Sequence, residues 1–350
     1  MARTQVVIAT PLEAELAARI QEAESRAEVL YEPDLLPPAR YPADHRGDPA
    51  FRRDADAEAR WRDLLGRAEV LFGIPDDSAE GLAEAVRDLP GLRWVHAMSA
   101  GAGEVARQAG LPPEALERVV ITTSSGVHAV PLAEYSILGL LAIAKELPQF
   151  VEDQRKKVWP EVRRPLRELS GQTLLLVGLG EIGREVARLG KALGMRTVGI
   201  RRTEGPPPEH VDEVHGPQRL PELAGRADAM VVSLPLTEQT AGLVDRATIE
   251  RLPASCIVVN VGRGQVVDEP ALIDALGERR IAGAVLDVTA TEPLPEDSPL
   301  WTLPNVLVTP HAGALSAREN ERIVELFVDN LRRYLDGRPL RKVVEPGVYY

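Results

Sequence analysis

Three side chains with complementary chemistry stand just beyond short apolar runs in the C-terminal half of the chain. Arg263 lies in Asn260-Val261-Gly262-Arg263-Gly264, Glu292 follows Asp287-Val288-Thr289-Ala290-Thr291, and His311 lies in Thr309-Pro310-His311-Ala312-Gly313. A guanidinium stays cationic at any physiological pH and can clamp an anion. An imidazole exchanges a proton near neutrality, so it can act as general acid or base. Each residue also has a plainer reading: a turn arginine, an acid before proline, a histidine near a helix start. Their shared position favours chemistry, because open α/β sheets bind ligands at the strand ends of one edge.

A second signal precedes them. Thr173-Leu174-Leu175-Leu176-Val177 is an apolar run that stops at Gly178-Leu179-Gly180-Glu181-Ile182-Gly183, spaced G-x-G-x-x-G. The apolar positions Ile182, Val186, Ala187, Leu189, Ala192 and Leu193 then recur with helical spacing. Buried strand, tight turn and amphipathic helix are the context in which this spacing marks a dinucleotide site. Gly178 permits the turn, Gly180 leaves room for a pyrophosphate, and Gly183 lets the helix approach its strand. The helix N-terminus then offers free N–H groups to the phosphates.

The elements that must position these residues alternate between strand and helix. Strands are expected near 5–10, 29–31, 69–73, 93–97 and 119–122, with helices near 11–25, 54–66, 79–88 and 103–109. Ser124-Ser125-Gly126-Val127 reads as a hinge. A second run follows: strands 173–177, 196–200, 229–234, 256–261, 282–286 and 305–308, with helices 181–193 and 269–276. A last helix near 316–335 is expected to return to the first unit. This rhythm predicts an α/β protein of two doubly wound parallel-sheet domains with a cleft between them. The expected boundaries are 1–125 with 310–350 for one domain, and 126–309 for the dinucleotide-binding domain.

Several stretches fall outside the rhythm. Residues 33–53 form a Pro-rich loop carrying His45, Arg46, Arg52 and Arg53, for which surface solvation is the plainer reading. Ser99-Ala100-Gly101-Ala102-Gly103 follows a strand and precedes a helix, so the N–H groups of Gly101 and Ala102 suit a carboxylate, or merely a flexible turn. The helix from Pro131 to about Leu147 is too apolar to lie open to water, and packing between domains or against a second subunit is expected. Arg155–Leu169 reads as an exposed arm. Trp301 can cover a pocket or pack in its own core.

Composition narrows the classes. The chain has 350 residues, 44% hydrophobic and 27% charged, with a formal net charge of −12. That acidity argues against a nucleic-acid surface. Cys256 is the only cysteine, so no intrachain disulfide can form. No apolar run approaches the roughly 18 residues of a membrane span, and a cytoplasmic protein is expected. The six histidines are scattered without metal-ligand spacing, so no metal is expected.

The cofactor's identity is read at the end of the next strand. Dinucleotide folds commonly place an acid there, about 20 residues beyond the glycines, for the ribose hydroxyls. Here Arg196-Thr197-Val198-Gly199-Ile200 runs into Arg201-Arg202-Thr203, with Glu204 one residue later. Guanidinium pairs bidentately with phosphate, which predicts NADP(H) in preference to NAD(H), although NAD(H) remains possible. The alternative is that the arginines face solvent and stack on adenine without discriminating.

Over essentially its whole length the chain resembles the D-isomer-specific 2-hydroxyacid dehydrogenase family. The resemblance is carried by the glycine turn 178–183, Ser233-Leu234-Pro235-Leu236-Thr237, Val259–Gly264, Gly283–Val288, Glu292-Pro293-Leu294-Pro295 and Thr309–Gly313. It implies a Rossmann cofactor domain, a flavodoxin-like substrate domain, and a homodimer joined through the long helix after the hinge. It implies a catalytic trio of Arg263, Glu292 and His311. It also implies cofactor contacts at Gly178, Leu179, Gly180, Glu181, Ile182, Gly183, Leu234, Pro235, Thr240, Val261, Gly262, Arg263, His311 and Gly313, with Arg201, Arg202 and Thr203 at the ribose. Asp287 is expected by resemblance to bind the nicotinamide amide; accepting backbone hydrogen bonds is its structural alternative. The chain departs from the family's pattern in two places: Arg201 replaces the acid of NAD-using members, and Gly103 stands where many carry an acid.

The implied reaction is reduction of a small 2-oxo acid to the D-2-hydroxy acid. His311 supplies the proton, Glu292 orients the imidazole, and Arg263 holds the substrate carboxylate and polarises the carbonyl. The Gly101 and Ala102 amides hold the carboxylate from the other domain. Competing expectations keep the fold and change the substrate to phosphoglycerate, formate or phosphite, or make the chain a nucleotide-sensing, corepressor-like interaction protein.

Overall fold

A computed structural model describes residues 3–203 and 205–344. The chain divides into two compact units, Met1–Val127 with Leu315–Tyr350, and His128–Ala314.

In the first unit, short apolar strands pair in parallel: β1 (Thr4–Ile8), β2 (Ala27–Leu30), β3 (Val70–Phe72), β4 (Trp94–His96) and β5 (Val120–Thr122). Their order is β2-β1-β3-β4-β5, the flavodoxin-like arrangement. Val6, Val7, Ile8, Val70, Leu71 and Phe72 are fully buried, as strands covered by helices on both faces must be. One face packs on Leu64, Leu82 and Val86. The other packs on Ile20 and on Ile323, Phe327 and Leu331 of the helix Glu319–Leu335. That helix does return to the first unit. The turn at 99–103 leads into a helix at Ala102–Gln108, and a further helix at Pro113–Arg118 was not foreseen.

The 33–53 loop is pinned to its own unit. His45 Nε2 pairs with Asn320 Oδ1 at 2.8 Å, and Arg46 with Asp77. Arg52 donates to carbonyls of its own loop. Arg53 donates to Leu35 O and lies 4.4 Å above the Trp61 ring.

Beneath the 99–103 turn sits a closed polar chain. Trp94 Nε1 donates to Thr122 Oγ1 at 2.8 Å, and Thr122 Oγ1 lies 2.8 Å from His96 Nδ1. Ser124 Oγ donates to Ala97 O at 2.9 Å and lies 3.2 Å from His96 Nε2. With the Ser124 proton committed to Ala97, Nε2–H is the donor to Ser124, and Nδ1 accepts from Thr122. The ring is neutral and complete on both sides, and full burial pushes its pKa down to about 3.

The second unit carries a seven-stranded parallel sheet of β6 (Thr173–Val177), β7 (Arg196–Ile200), β8 (Glu213–His215), β9 (Ala229–Val232), β10 (Ile257–Asn260), β11 (Gly283–Leu286) and β12 (Val306–Val308). The order is β12-β11-β10-β9-β6-β7-β8, a Rossmann sheet extended by one strand. The edge strand β8 is half-buried throughout and too short and polar to stand out in the sequence.

The apolar helix after the hinge spans Ala129–Ala144. One face of it buries Leu132, Ala133, Leu140 and Ala144 with Leu174, Leu176 and Val285 of its own unit. Gly139 permits this, since a Cβ there would come within 2.9 Å of the Val285 methyls. Val130 and Leu138 remain exposed on the same helix. A helix over Leu147–Lys156 runs into the arm at 155–169, which carries Trp159 at 91% exposure.

Candidate active site

The turns that leave the C-terminal ends of β6, β7, β10, β11 and β12 carry nearly all of the second unit's site residues, on one edge of its sheet. Parallel register aligns Asn260 with Leu286 and Leu286 with Val308. Arg263 and His311 therefore each stand three residues past one common row, and two strand spacings of about 4.8 Å separate their turns.

Arg263 leaves β10 in extended backbone. Its turn is built by Asn260, whose side chain accepts from Gly262 N at 3.0 Å and donates to Arg263 O at 3.1 Å. The guanidinium Nη1 donates to Gly262 O at 2.7 Å. Among the described residues no further hydrogen bond or ion pair holds it, so its planar fork is available to an anion.

His311 and Glu292 meet. Nδ1 lies 2.9 Å from Glu292 Oε2, and a carboxylate can only accept, so Nδ1 carries the proton and Nε2 is left for a ligand. The two side chains are 44% and 41% exposed, so this pair contributes little to stability; its consequence is orientation. Backbone holds the histidine from beneath, with His311 N donating to Asp287 O at 2.9 Å.

Asp287 takes its structural alternative in this structure. It is 2% exposed, and its Oδ1 accepts from Thr309 Oγ1 at 2.6 Å, Ala312 N at 2.9 Å and Gly313 N at 2.9 Å, while Oδ2 accepts from Gly313 N at 3.0 Å. A buried carboxylate so engaged supports the turn around His311. Tyr135, on the Ala129–Ala144 helix, extends the network through a 2.6 Å contact with Thr309 Oγ1. Neither Tyr135 nor the Thr309 hydroxyl stood out in the sequence, although Thr309 lies in the same short motif as His311.

The glycine turn fits a dinucleotide on geometric grounds. Gly178 has φ +113°, left-handed backbone that glycine alone adopts freely. A Cβ on Gly183 would lie 2.0 Å from Gly178 O, whereas one on Gly180 meets nothing within 4 Å. The first contact means the helix Glu181–Ala192 starts hard against its strand; the second is open space above a helix N-terminus with no side-chain cap. Around it, Gly262 is forced by the Leu234 carbonyl, 2.5 Å from where its Cβ would stand.

Other expected cofactor residues are committed elsewhere. Leu179 and Val261 side chains are buried in the core, leaving only their backbone for a ligand. Thr240 Oγ1 donates to Pro235 O at 2.6 Å and closes its own turn. At the end of β7, Arg201 Nη2 donates to Pro206 O at 3.2 Å, but its Nε is buried without a hydrogen-bond partner among the described residues. Arg202 and Thr203 are exposed beside it, and Glu204 lies outside the described residues. A buried, unsatisfied guanidinium N–H at the ribose end of the site suits an added phosphate oxygen.

In the first unit, Gly101 caps the helix Ala102–Gln108, which has no side-chain cap, and Ala102 is fully buried. Only its backbone can serve a ligand. Trp301 is not packed in a core: it is 55% exposed, with Nε1 donating to Pro295 O.

Comparison with known proteins agrees with this geometry. The model of the D-isomer specific 2-hydroxyacid dehydrogenase NAD binding domain matches residues 137–313. A glyoxylate reductase of Korarchaeum cryptofilum is 34% identical over 265 residues, 73% of this chain and 76% of that protein. A D-3-phosphoglycerate dehydrogenase of Methanocaldococcus jannaschii is 33% identical over 232 residues, 65% of this chain but 43% of that protein. The chain spans about half the length of the curated D-3-phosphoglycerate dehydrogenases it matches. The crystal structure of a D-isomer specific 2-hydroxyacid dehydrogenase from Xanthobacter autotrophicus Py2, in complex with NADPH and MES, superposes with a TM-score of 0.76 at 28% identity over 100% of both chains.

Proposed function

The chain belongs to the D-isomer-specific 2-hydroxyacid dehydrogenase family, and from that premise we propose that it reduces a small 2-oxo acid to the D-2-hydroxy acid, using NADPH in preference to NADH. The observation that carries this reading is the His311 Nδ1–Glu292 Oε2 pair at 2.9 Å, on the sheet edge that also presents Arg263.

Bound nicotinamide cofactor supplies the hydride. The chain's own residues do the rest. Gly178, Gly180 and Gly183 shape the turn that receives the pyrophosphate, and the uncapped helix start donates N–H groups to it. Arg201, Arg202 and Thr203 hold the 2′-phosphate. Arg263 clamps the substrate carboxylate and draws electron density toward the carbonyl oxygen. His311, in its doubly protonated form with Nδ1–H fixed by Glu292, delivers the Nε2 proton to that oxygen and is left as the neutral Nδ1–H ring.

Phosphate preference rests on the buried, unpaired Nε of Arg201 and on the absence of an acid at residues 201–203. The NADPH complex of the Xanthobacter relative is consistent with it. Homodimer formation in the cytoplasm completes the reading, supported by exposed Leu138, Leu147, Phe150 and Trp159 within one unit.

A second substrate, 3-phosphoglycerate, is favoured by the named relatives at 33% identity. Initial rates with NADPH across glyoxylate, hydroxypyruvate and pyruvate, beside 3-phosphoglycerate oxidation with NADP or NAD, decide between them. Turnover confined to phosphoglycerate rejects the 2-oxo acid reductase.

A further inference from the structure

His311 occupies backbone that side chains seldom adopt, with φ +53°. Left-handed backbone in a non-glycine residue is strained and persists only when its surroundings over-determine it. Here the surroundings are explicit. Asp287 gathers the amides of Ala312 and Gly313 on one side of the histidine and the hydroxyl of Thr309 on the other. A Cβ on Gly313 would lie 2.9 Å from Asp287 Oδ2 and 3.1 Å from Tyr135 Cγ, so the turn is closed against the Tyr135 ring.

The directions of the bonds are fixed by chemistry. Thr309 must donate to the carboxylate, so its oxygen is left to accept, and Tyr135 O–H is the donor to it. The result is one ordered chain, Tyr135 O–H to Thr309 O–H to Asp287 carboxylate. Its far end grips the two residues that follow His311. Burial raises the Tyr135 pKa, so the phenol keeps the proton this chain needs.

We propose that Tyr135 and Thr309 are positioning residues for His311: their hydroxyl chain fixes the Asp287 carboxylate, and that carboxylate holds the His311 turn in the conformation that lets Nδ1 meet Glu292. The helix after the hinge thereby sets the aim of the proton donor on the sheet edge. This rests on the reduction proposed above, with His311 as the acid. Neither hydroxyl touches substrate or cofactor in this scheme; both act through the backbone around His311.

Thr309→Val keeps the shape and removes the hydroxyl, Thr309→Ser restores it, and Tyr135→Phe removes the other end. Each is read in two ways. Steady-state kinetics with NADPH and the best 2-oxo acid should show kcat in Thr309→Val reduced about tenfold or more, the scale of a misaimed catalytic group. The KM for NADPH should stay near wild type, Thr309→Ser should recover most of the loss, and Tyr135→Phe should fall between. In parallel, ring ¹⁵N spectra of histidine-labelled apoprotein, with His311 assigned by its loss in His311→Gln, should show one ring state in wild type and Thr309→Ser. Thr309→Val should show doubled or broadened His311 signals. Thr309→Val matching wild type in the spectra, or Thr309→Ser as impaired as Thr309→Val, overturns the proposal. The spectra read positioning without turnover, so a wild-type protein that reduces no 2-oxo acid rejects the proposed reaction and leaves the positioning test standing.

Discussion

His311 Nδ1 donates to Glu292 Oε2 across 2.9 Å, and this one bond decides which ring nitrogen faces the ligand side of the sheet edge. Replacing His311 by Gln is expected to lower kcat by about 10²- to 10⁴-fold, the usual contribution of a positioned general acid. Glu292→Gln keeps an acceptor but loses the carboxylate that fixes Nδ1–H, so its rate should fall less than that of His311→Gln. Pre-steady-state and steady-state rates check both; a wild-type rate in Glu292→Gln removes the orienting carboxylate from the scheme.

Arg263 holds its turn with Nη1 alone. Arg263→Ala should raise the KM for the 2-oxo acid and lower kcat, with a combined loss in kcat/KM of about 10²-fold or more. Arg263→Lys should recover only part of it, because an ammonium cannot reproduce the planar fork. Full activity of the alanine variant with every accepted acid contradicts the clamp.

Arg201→Asp puts a carboxylate at the end of β7. Charged hydrogen bonds contribute roughly 1.5–3 kcal/mol, so the ratio of kcat/KM for NADPH over NADH should fall by about 10- to 100-fold. Parallel titrations of the two cofactors measure it. An unchanged ratio means that Arg201 does not read the phosphate.

Two glycines of one turn should fail differently. Gly183→Ala forces a methyl against the Gly178 carbonyl at 2.0 Å and should lower the stability of the cofactor-free protein by about 1–3 kcal/mol. Gly180→Ala meets open space, so the free protein should melt near wild type while NADPH affinity drops. Equal Tm losses in both variants would count against a pyrophosphate above Gly180.

His96 makes stability depend on pH in a defined window. Its folded pKa of about 3 lies below the ordinary histidine value near 6.5. The unfolded chain therefore binds a proton that the folded one refuses, and stability falls as pH drops from about 6.5 toward 3. The slope is up to about 1.4 kcal/mol per pH unit, or about 2 kcal/mol between pH 6.5 and 5. Glu24 and Asp44, each held down to about 2 by an arginine, lose their contribution at lower pH, as it falls through the ordinary carboxylate values near 4 toward 2. Urea unfolding of wild type and His96→Asn at pH 7 and 5 should show the smaller pH loss in the variant.

The two sheets and the Arg263–Glu292–His311 edge were legible because parallel strands buried on both faces read as apolar runs and end at glycine, proline or polar turns. Leu174–Val177 into Gly178 is the clearest case, since the spacing of Gly178 and Gly183 is set by a contact within the same short segment. β8 was missed because Glu213-Val214-His215 is short and half-buried, and pairs only with β7. The Leu147–Lys156 helix was missed because it follows a left-handed break at Glu146, which reads as the end of the preceding helix. The partners of Asp287 were not legible for a different reason: Thr309, Ala312 and Gly313 lie 22 to 26 residues away and meet it only through strand register. Tyr135 is farther still, 174 residues from Thr309.

The most direct test of the central claim follows absorbance at the reduced-nicotinamide band, with NADPH and NADH in parallel, across glyoxylate, hydroxypyruvate, pyruvate and longer 2-oxo acids, for wild type and His311→Gln. The account predicts turnover with NADPH, weaker turnover with NADH, and loss of both in the variant without loss of NADPH binding. Tight NADPH binding with no turnover of any acid by the wild type, or full turnover by His311→Gln, would contradict it.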